Sequence, residues 1–295
     1  MIPAWALPRM TIRPWMETRS AHPPGISPLD PAEWLYRDET CAGQMALRDA
    51  LVAERPDDVT GCLPEGEAAA AELLALVTEE VCARQGAART GGAIRRADGV
   101  EAPLDAPPMQ VAARLAQEDF LILDRPEGAE EHILTAGALC FPAQWTLAEK
   151  LGRALLRIHL PVKEYDGRLA AKVQRFHDGV RVGRPLIRAN WNFAEGPELY
   201  TPAPEAEKMK RRQTRADPKD WRDAWIRVER QTLLRLPQTG AVVFGVRTLV
   251  APLTGCTEED WAGFQRAFEE LPEHARADKA GAAILAEAAR RAALA

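Results

Sequence analysis

The chain has 295 residues, 27% of them charged, and a net charge of −5. That length can bury a hydrophobic core without disulfide staples, and the acidic balance gives no overall attraction to nucleic acid or anionic lipid. The five cysteines, Cys41, Cys62, Cys82, Cys140 and Cys256, lie far apart, which argues against a disulfide framework, a zinc site or an iron–sulfur cluster and for a reducing cytoplasm.

Residues 1–33 are rich in proline and tryptophan and are expected to form an extended arm over the body. Met1 to Met10 carries two prolines and no apolar stretch of secretory length, so no signal peptide is expected. Nor do eighteen apolar residues run together, so no membrane span is expected. Gly43 to Glu54 and Glu67 to Arg84 place apolar residues, among them Leu73, Leu74, Val77 and Val81, at three- and four-residue spacing, the mark of amphipathic helices. Between Gly86 and Pro108 no period is visible, and a connecting loop is expected. Asp119 to Asp124 and His132 to Cys140 are apolar runs on either side of Arg125-Pro126-Glu127-Gly128, a hairpin signature.

Thr146 followed by Glu149 matches a capping box. The spacing predicts a helix carrying Leu147, Leu151, Ala154, Leu155 and Ile158, ending near His159 because Pro161 disfavours its continuation. Leu169, Val173, Phe176 and Val180 suggest a second amphipathic helix. Residues 184–194 and 240–253 have strand character, and from Glu258 onward the pattern is helical. Strands that come partly in hairpins and do not alternate regularly with helices point to an α+β fold with a mostly antiparallel sheet. The expected division is the arm over 1–33, an α+β domain over 34–257 and a helical C-terminal tail over 258–295.

Nucleotide-binding glycine loops, H-E-x-x-H and G-x-S-x-G are all missing, which leaves NAD, ATP, zinc hydrolysis and serine catalysis without support. The candidate metal ligands are His22, His132, His159, His177 and His274. A single axial imidazole beside an apolar slot is enough for haem. His159, at a helix end before Leu160-Pro161, is either such a ligand or a histidine compensating the helix dipole. His177 is the second choice, expected to be partly exposed beside Asp178, and His132, next to Glu130 and Glu131, is expected at the surface.

Arg227-Val228-Glu229-Arg230-Gln231-Thr232 is polar yet bracketed by Trp225, Leu233 and Leu236, so its charges are expected to press against a core. It reads either as an internal Arg–Glu network or as a clamp for a propionate or substrate. Asn190-Trp191 is either a buried tryptophan with a satisfied amide or part of a pocket lining. The basic run Lys208 to Arg215 lacks aromatic interleaving and suits an acidic protein partner better than nucleic acid.

Several pieces recur in a fixed order: Pro28-Leu29-Asp30-Pro31, Gln117-Glu118-Asp119-Phe120, Leu139-Cys140-Phe141-Pro142 with Trp145, Glu149-Lys150-Leu151-Gly152, Ile158-His159-Leu160-Pro161-Val162 with Tyr165, Ala189-Asn190-Trp191 and Arg227 to Leu233. Together, from about Pro28 to Leu253, they resemble the haem-dependent oxidative N-demethylase alpha-subunit family. Phe176-His177 stands where Phe-Phe is commoner, and Thr248-Leu249 where Thr-Tyr is more usual.

The resemblance implies a PAS-like α+β core holding haem b. The implied reaction, on a dimethylamine-like secondary amine with O2, is hydroxylation of the N-methyl carbon and collapse of the carbinolamine to formaldehyde and the shorter amine. It implies His159 as axial ligand of the iron, with Trp145, Lys150, Trp191, Arg227, Arg230 and Arg247 at the cofactor and Asn190 and Glu229 as catalytic groups. The electrons have no carrier in this sequence, which fits reductase subunits bearing flavin and iron–sulfur centres, fed by NADPH, with the basic run as docking surface. No nucleic acid and no membrane are implied as partners. A haem or small-ligand sensor module without catalysis, and a scaffold subunit without cofactor, are the alternatives.

Overall fold

The computed structural model describes residues 1–17, 25–126, 129, 131–159, 174–207, 220–271, 276 and 279–294, and of 156 and 159 the backbone alone. In chain order the elements are β1 (Ser27–Pro28), α1 (Cys41–Glu54), α2 (Pro56–Val59), β2 (Thr60–Cys62), α3 (Glu67–Arg84), β3 (Ala88–Thr90), β4 (Ala93–Arg95), β5 (Glu101–Pro103) and α4 (Pro108–Ala113). They continue as β6 (Glu118–Asp124), β7 (Ile133–Ala138), α5 (Leu155–His159), β8 (Leu186–Ala194), β9 (Trp225–Arg235), β10 (Val242–Pro252), α6 (Glu258–Glu269) and α7 (Ala282–Ala292). Seven strands form one antiparallel sheet in the order β1-β8-β9-β10-β6-β7-β2, and β3, β4 and β5 form a small second sheet. The fold is α+β and the chain closes on a helix. No helix among the described residues is long and apolar enough to cross a membrane.

Side chains alternate along a strand, so the large sheet has two faces with different neighbours. On the first, Phe120, Ile122, Ala136, Ala138, Leu234 and Val243 pack under α3 and α4. Its other end carries Trp191, Phe193, Ile226, Val228, Leu249 and Ala251, which meet Trp261, Phe264 and Phe268 of α6, Ile284 of α7, and Leu7, Met10 and Trp15 of the N-terminal residues. On the second face Leu123, Leu134, Leu233 and Val242 lie under Leu147, Leu155 and Val180.

Three expectations change. Residues 88–103 are the small sheet, not a loop; each strand is three residues long, too short to display a period. The expected helix from Thr146 exists only over Leu155–His159. The Thr146 hydroxyl bonds the Glu149 carboxylate at 3.0 Å instead of capping a helix, Gly152 adopts φ +78°, and Gly152 and Arg153 pair with Leu134 of β7 by main-chain bonds of 2.8 and 3.1 Å. Sheet pairing and a left-handed glycine outcompete the helical period there. Gly137 makes room for the segment: a methyl group at that position would come within 2.7 Å of Leu147 Cδ1. Finally, Arg227 to Thr232, read as a polar segment pressed against a core and given no element, lies within the 11-residue strand Trp225–Arg235, flanked by β8 and β10.

The layers are tied by Arg48 of α1, whose side chain is fully buried. Its guanidinium donates to the carbonyls of Ala113 (2.7 Å), Gln117 (3.3 Å) and Glu118 (2.5 Å) and to the Asp119 carboxylate (2.9 Å). Asp119 in turn accepts from the amides of Cys140 (2.8 Å) and Phe141 (2.9 Å). Replacing Arg48 by Ala strands a buried carboxylate, and we expect a loss of about 3–5 kcal/mol in urea unfolding. Arg48→Lys should recover only part of it, because one ammonium cannot serve three carbonyls and a carboxylate in one plane.

Candidate functional site

The register of β8, β9 and β10 sorts the second face into cross-strand rows. Asn190, Glu229 and Thr248 form one row. The next is Arg188, Gln231, Val246 and Asp119, and the one after it Leu186, Leu233, Phe244 and Leu121. Arg227, paired with Asn192 and Val250, lies on the other side of the first row. Directly opposite residues stand about 4.5–5.5 Å apart at Cβ, so two polar rows and an apolar row form one continuous floor. Most of it is half-buried: Leu186, Arg188, Asn190, Glu229, Phe244 and Val246 keep some exposure.

Polar bonding across this floor is incomplete. Arg227 donates to the carbonyls of Phe141 (2.5 Å) and Leu199 (3.2 Å), but its buried Nε has no hydrogen-bond partner among the described residues and stands 3.9 Å from Glu229 Oε1. The Thr248 hydroxyl, fully buried, also lacks one. Glu229 Oε2 accepts from Gln231 Nε2 at 2.9 Å, and Oε1 is the oxygen that faces Arg227. Burial pulls the guanidinium pKa values of Arg188 and Arg227 down, and the Glu229 carboxylate pushes both back up. Such unmet buried groups are costly unless something else satisfies them.

Not every residue expected at a site gathers here. Asn190, Glu229 and Arg227 do. Trp191, Arg230 and Arg247 occupy the opposite parity and face the other side of the sheet. Trp191 stacks on Phe264 at 5.5 Å with Lys279 over its ring at 4.0 Å. Arg230 donates to the carbonyls of Glu33 and Trp34, and Arg247 to Asp38, Gln44, Thr40 and the Tyr36 carbonyl. Those three are held inside the protein. Trp145 and Lys150 lie on the segment covering the second face, the Lys150 ammonium 4.5 Å above the Trp145 ring.

His159 is the last residue of α5; its side chain lies outside the described residues, as do His22, His274, Pro161-Val162, Tyr165, Leu169, Val173 and the basic run at 208–215. Its neighbour Ile158 packs on the apolar cluster of the second face. His132 and His177 differ from expectation. Both are buried, with exposures of 3% and 7%, and their rings lie 5.6 Å apart. Arg235 of β9 pins the carbonyls of His177 (2.7 Å) and Val180 (2.6 Å) to the sheet. His132 Nδ1 lies 2.7 Å from Gln174 Nε2.

Arg188 was not singled out in the sequence, although strand alternation marks it: Leu186, Arg188, Asn190 and Asn192 share one side of β8, and Trp191 and Phe193 the other. Among the described residues no group of three or more His, Cys, Asp or Glu could hold a metal ion. The floor does suit a flat apolar group with anionic arms. Half-buried Leu121, Leu151, Ile158, Phe176 and Phe244 offer a wall, and the unmet donors of Thr248 and Arg227 lie two and three rows away.

A family model described as haem-dependent oxidative N-demethylase, alpha subunit-like, matches residues 25–287. The chain belongs to that family. The match takes in every strand of the large sheet and α6, so the polar floor lies wholly within it. An alpha subunit implies further subunits, and the family description carries haem dependence and oxidative N-demethylation with it.

Two outcomes follow for this alpha-subunit-like chain. Thr248→Val removes an unmet buried hydroxyl and is expected to raise ligand-free stability by about 1 kcal/mol in chemical denaturation. Burial, opposed by the Gln174 bond and Asp178, pushes the His132 imidazole below its ordinary 6.5. A folded-state value below the unfolded one gives stability that is complete above pH 6.5 and is lost as pH falls through the folded value. In His132→Gln the acid limb of stability against pH should therefore be shallower below pH 6.5.

Proposed function

We propose that this chain is the haem-bearing subunit of an oxidative N-demethylase acting on a small secondary amine of the dimethylamine kind. The observation that supports it best is the floor itself: an unmet Arg227 Nε and an unmet Thr248 hydroxyl on the face where α5, ending at His159, meets the sheet. Haem b is the proposed cofactor, with His159 as axial ligand, the half-buried apolar residues against the macrocycle, and Trp145, Lys150 and Arg227 around it. When bound it supplies activation of O2.

The residues of the chain then bind and orient the amine. Glu229 Oε1, the oxygen that Gln231 leaves open, accepts an N–H of the substrate, and Gln231 holds the carboxylate in place. Asn190, directly opposite, offers an amide oxygen to a second N–H. With nitrogen held on the polar row, the methyl group is directed toward the apolar row, where Phe244 and Leu121 exclude water. The balance is one N-methyl amine, O2, two electrons and two protons giving the shorter amine, formaldehyde and water. The electrons come from partner reductase subunits carrying flavin and iron–sulfur centres, with the basic run at 208–215 as their docking surface. The five unpaired cysteines suit a cytoplasmic setting.

Protein purified from haem-supplied cells is expected to show a Soret band and to release formaldehyde from dimethylamine with a surrogate reductant. His159→Ala should lose or alter that band. A band with unchanged ligation in this variant would reassign the axial role, with His177 next in line, whereas folded wild-type protein without any Soret band would reject the whole reading. Glu229→Gln is expected to lower kcat/KM by about a hundredfold through misplacement of the amine, with haem occupancy retained.

A further inference from the structure

We infer that the substrate is a zwitterion, an N-methyl amino acid whose carboxylate is received by Arg188 while Glu229 holds its ammonium. This rests on the demethylase reading above and sharpens it.

Arg188 lies in the row next to Glu229, on the same face of the sheet. It is half-buried, yet among the described residues its side chain makes no hydrogen bond or ion pair. The Glu229 carboxylate raises its pKa through space without pairing with it. Gln231, directly opposite Arg188, donates to Glu229 Oε2 at 2.9 Å and so ties that carboxylate to the strand between the two charges. Glu229 is also approached from its other side by Arg227, at 3.9 Å. A cation and an anion on adjacent rows, not paired with each other, form a receptor for a small molecule bearing both charges.

A plain dialkylammonium ion would answer Glu229 and leave Arg188 desolvated without a counterion, a costly state for a guanidinium out of water. A ligand carboxylate with no ammonium of its own would meet Glu229 as a like charge. An amino acid satisfies both, since its two charged groups are separated by a single carbon. The planar fork of arginine takes the two carboxylate oxygens at once, fixing the molecule at one end so that its N-methyl group points along the floor toward Phe244 and Leu121.

The test is a calorimetric titration of the haem-loaded protein with N-methylglycine, dimethylamine and acetate, with formaldehyde release measured in parallel. N-methylglycine is expected to bind at least about tenfold more tightly than either fragment. Arg188→Gln should bring N-methylglycine down to the level of dimethylamine, and Arg188→Lys should restore part of the preference; melting temperatures of both variants verify that they fold. Dimethylamine turned over with no preference for N-methylglycine would overturn the zwitterion while leaving the demethylase reading intact. Loss of haem occupancy in Arg188→Gln would assign the carboxylate to the cofactor's own propionate and likewise overturn it. Wild-type protein that holds haem but neither binds nor demethylates any of these amines would overturn both.

Discussion

The Arg48 guanidinium, sealed from solvent and fully engaged by three carbonyls and the Asp119 carboxylate, is the constraint on which the other parts depend. Moving an ion pair into the interior is expensive, and it is tolerated only where every lone pair and proton finds a partner. Here the partners come from α1, α4, β6 and the corner at Cys140-Phe141, so the pair can form only when all four are in register. Asp119 holds the Phe141 amide at 2.9 Å, and the Phe141 carbonyl receives the Arg227 guanidinium. A chain of hydrogen bonds thus runs from the first helix to an arginine of the site.

That chain clarifies how one sheet can be both core and binding surface. On the first face the polar groups of Arg230 and Arg247 are answered by carbonyls and side chains of residues 33–44, so they act as internal ties between β9, β10 and the start of the domain. On the second face the same strands present Arg188, Asn190, Glu229 and Thr248 with their bonding incomplete. The first face keeps one unmet buried oxygen, Glu118 Oε2 opposite Arg247, while the second keeps an unmet guanidinium nitrogen and an unmet hydroxyl. Arginines spaced three residues apart on β9, 227 and 230, fall on opposite faces and serve different ends.

The same alternation bounds what can be read from the sequence. Helices α1 and α3, the β6–β7 hairpin, β8, β10 and the C-terminal helices were legible because each repeats its period for several turns or residues. The small sheet was not, since strands of three residues have no period to show. The helix expected from Thr146 failed because Gly152 and pairing with Leu134 favoured a different local solution. β9 was obscured by polar residues on both faces: Arg227, Glu229 and Gln231 line the floor while Arg230 and Thr232 lie on the packed face, so its alternation reads as mixed polarity. Asn190, Arg227 and Glu229 could be chosen from the motifs, yet Trp191, Arg230 and Arg247 came along with them, because a motif names consecutive residues and a sheet separates them. Arg188 escapes for the converse reason, lying immediately before the motif that carries its neighbour Asn190.

Register therefore has an unusual weight in this protein. A slip of one residue between β8 and β9 would send Asn190 and Arg188 to the packed face and bring Trp191 out among the charges. The devices that prevent it are apolar and lie far from the floor: Trp191 locked between Phe264, Phe193 and the Lys279 ammonium, and Ile226 and Val228 buried beside it. The aromatic cluster of the C-terminal helices and the N-terminal residues thus has a role in the chemistry without touching it. It fixes which side of β8 faces the ligand, and the incompletely bonded groups on that side can remain so because the other side supplies the stability that they do not.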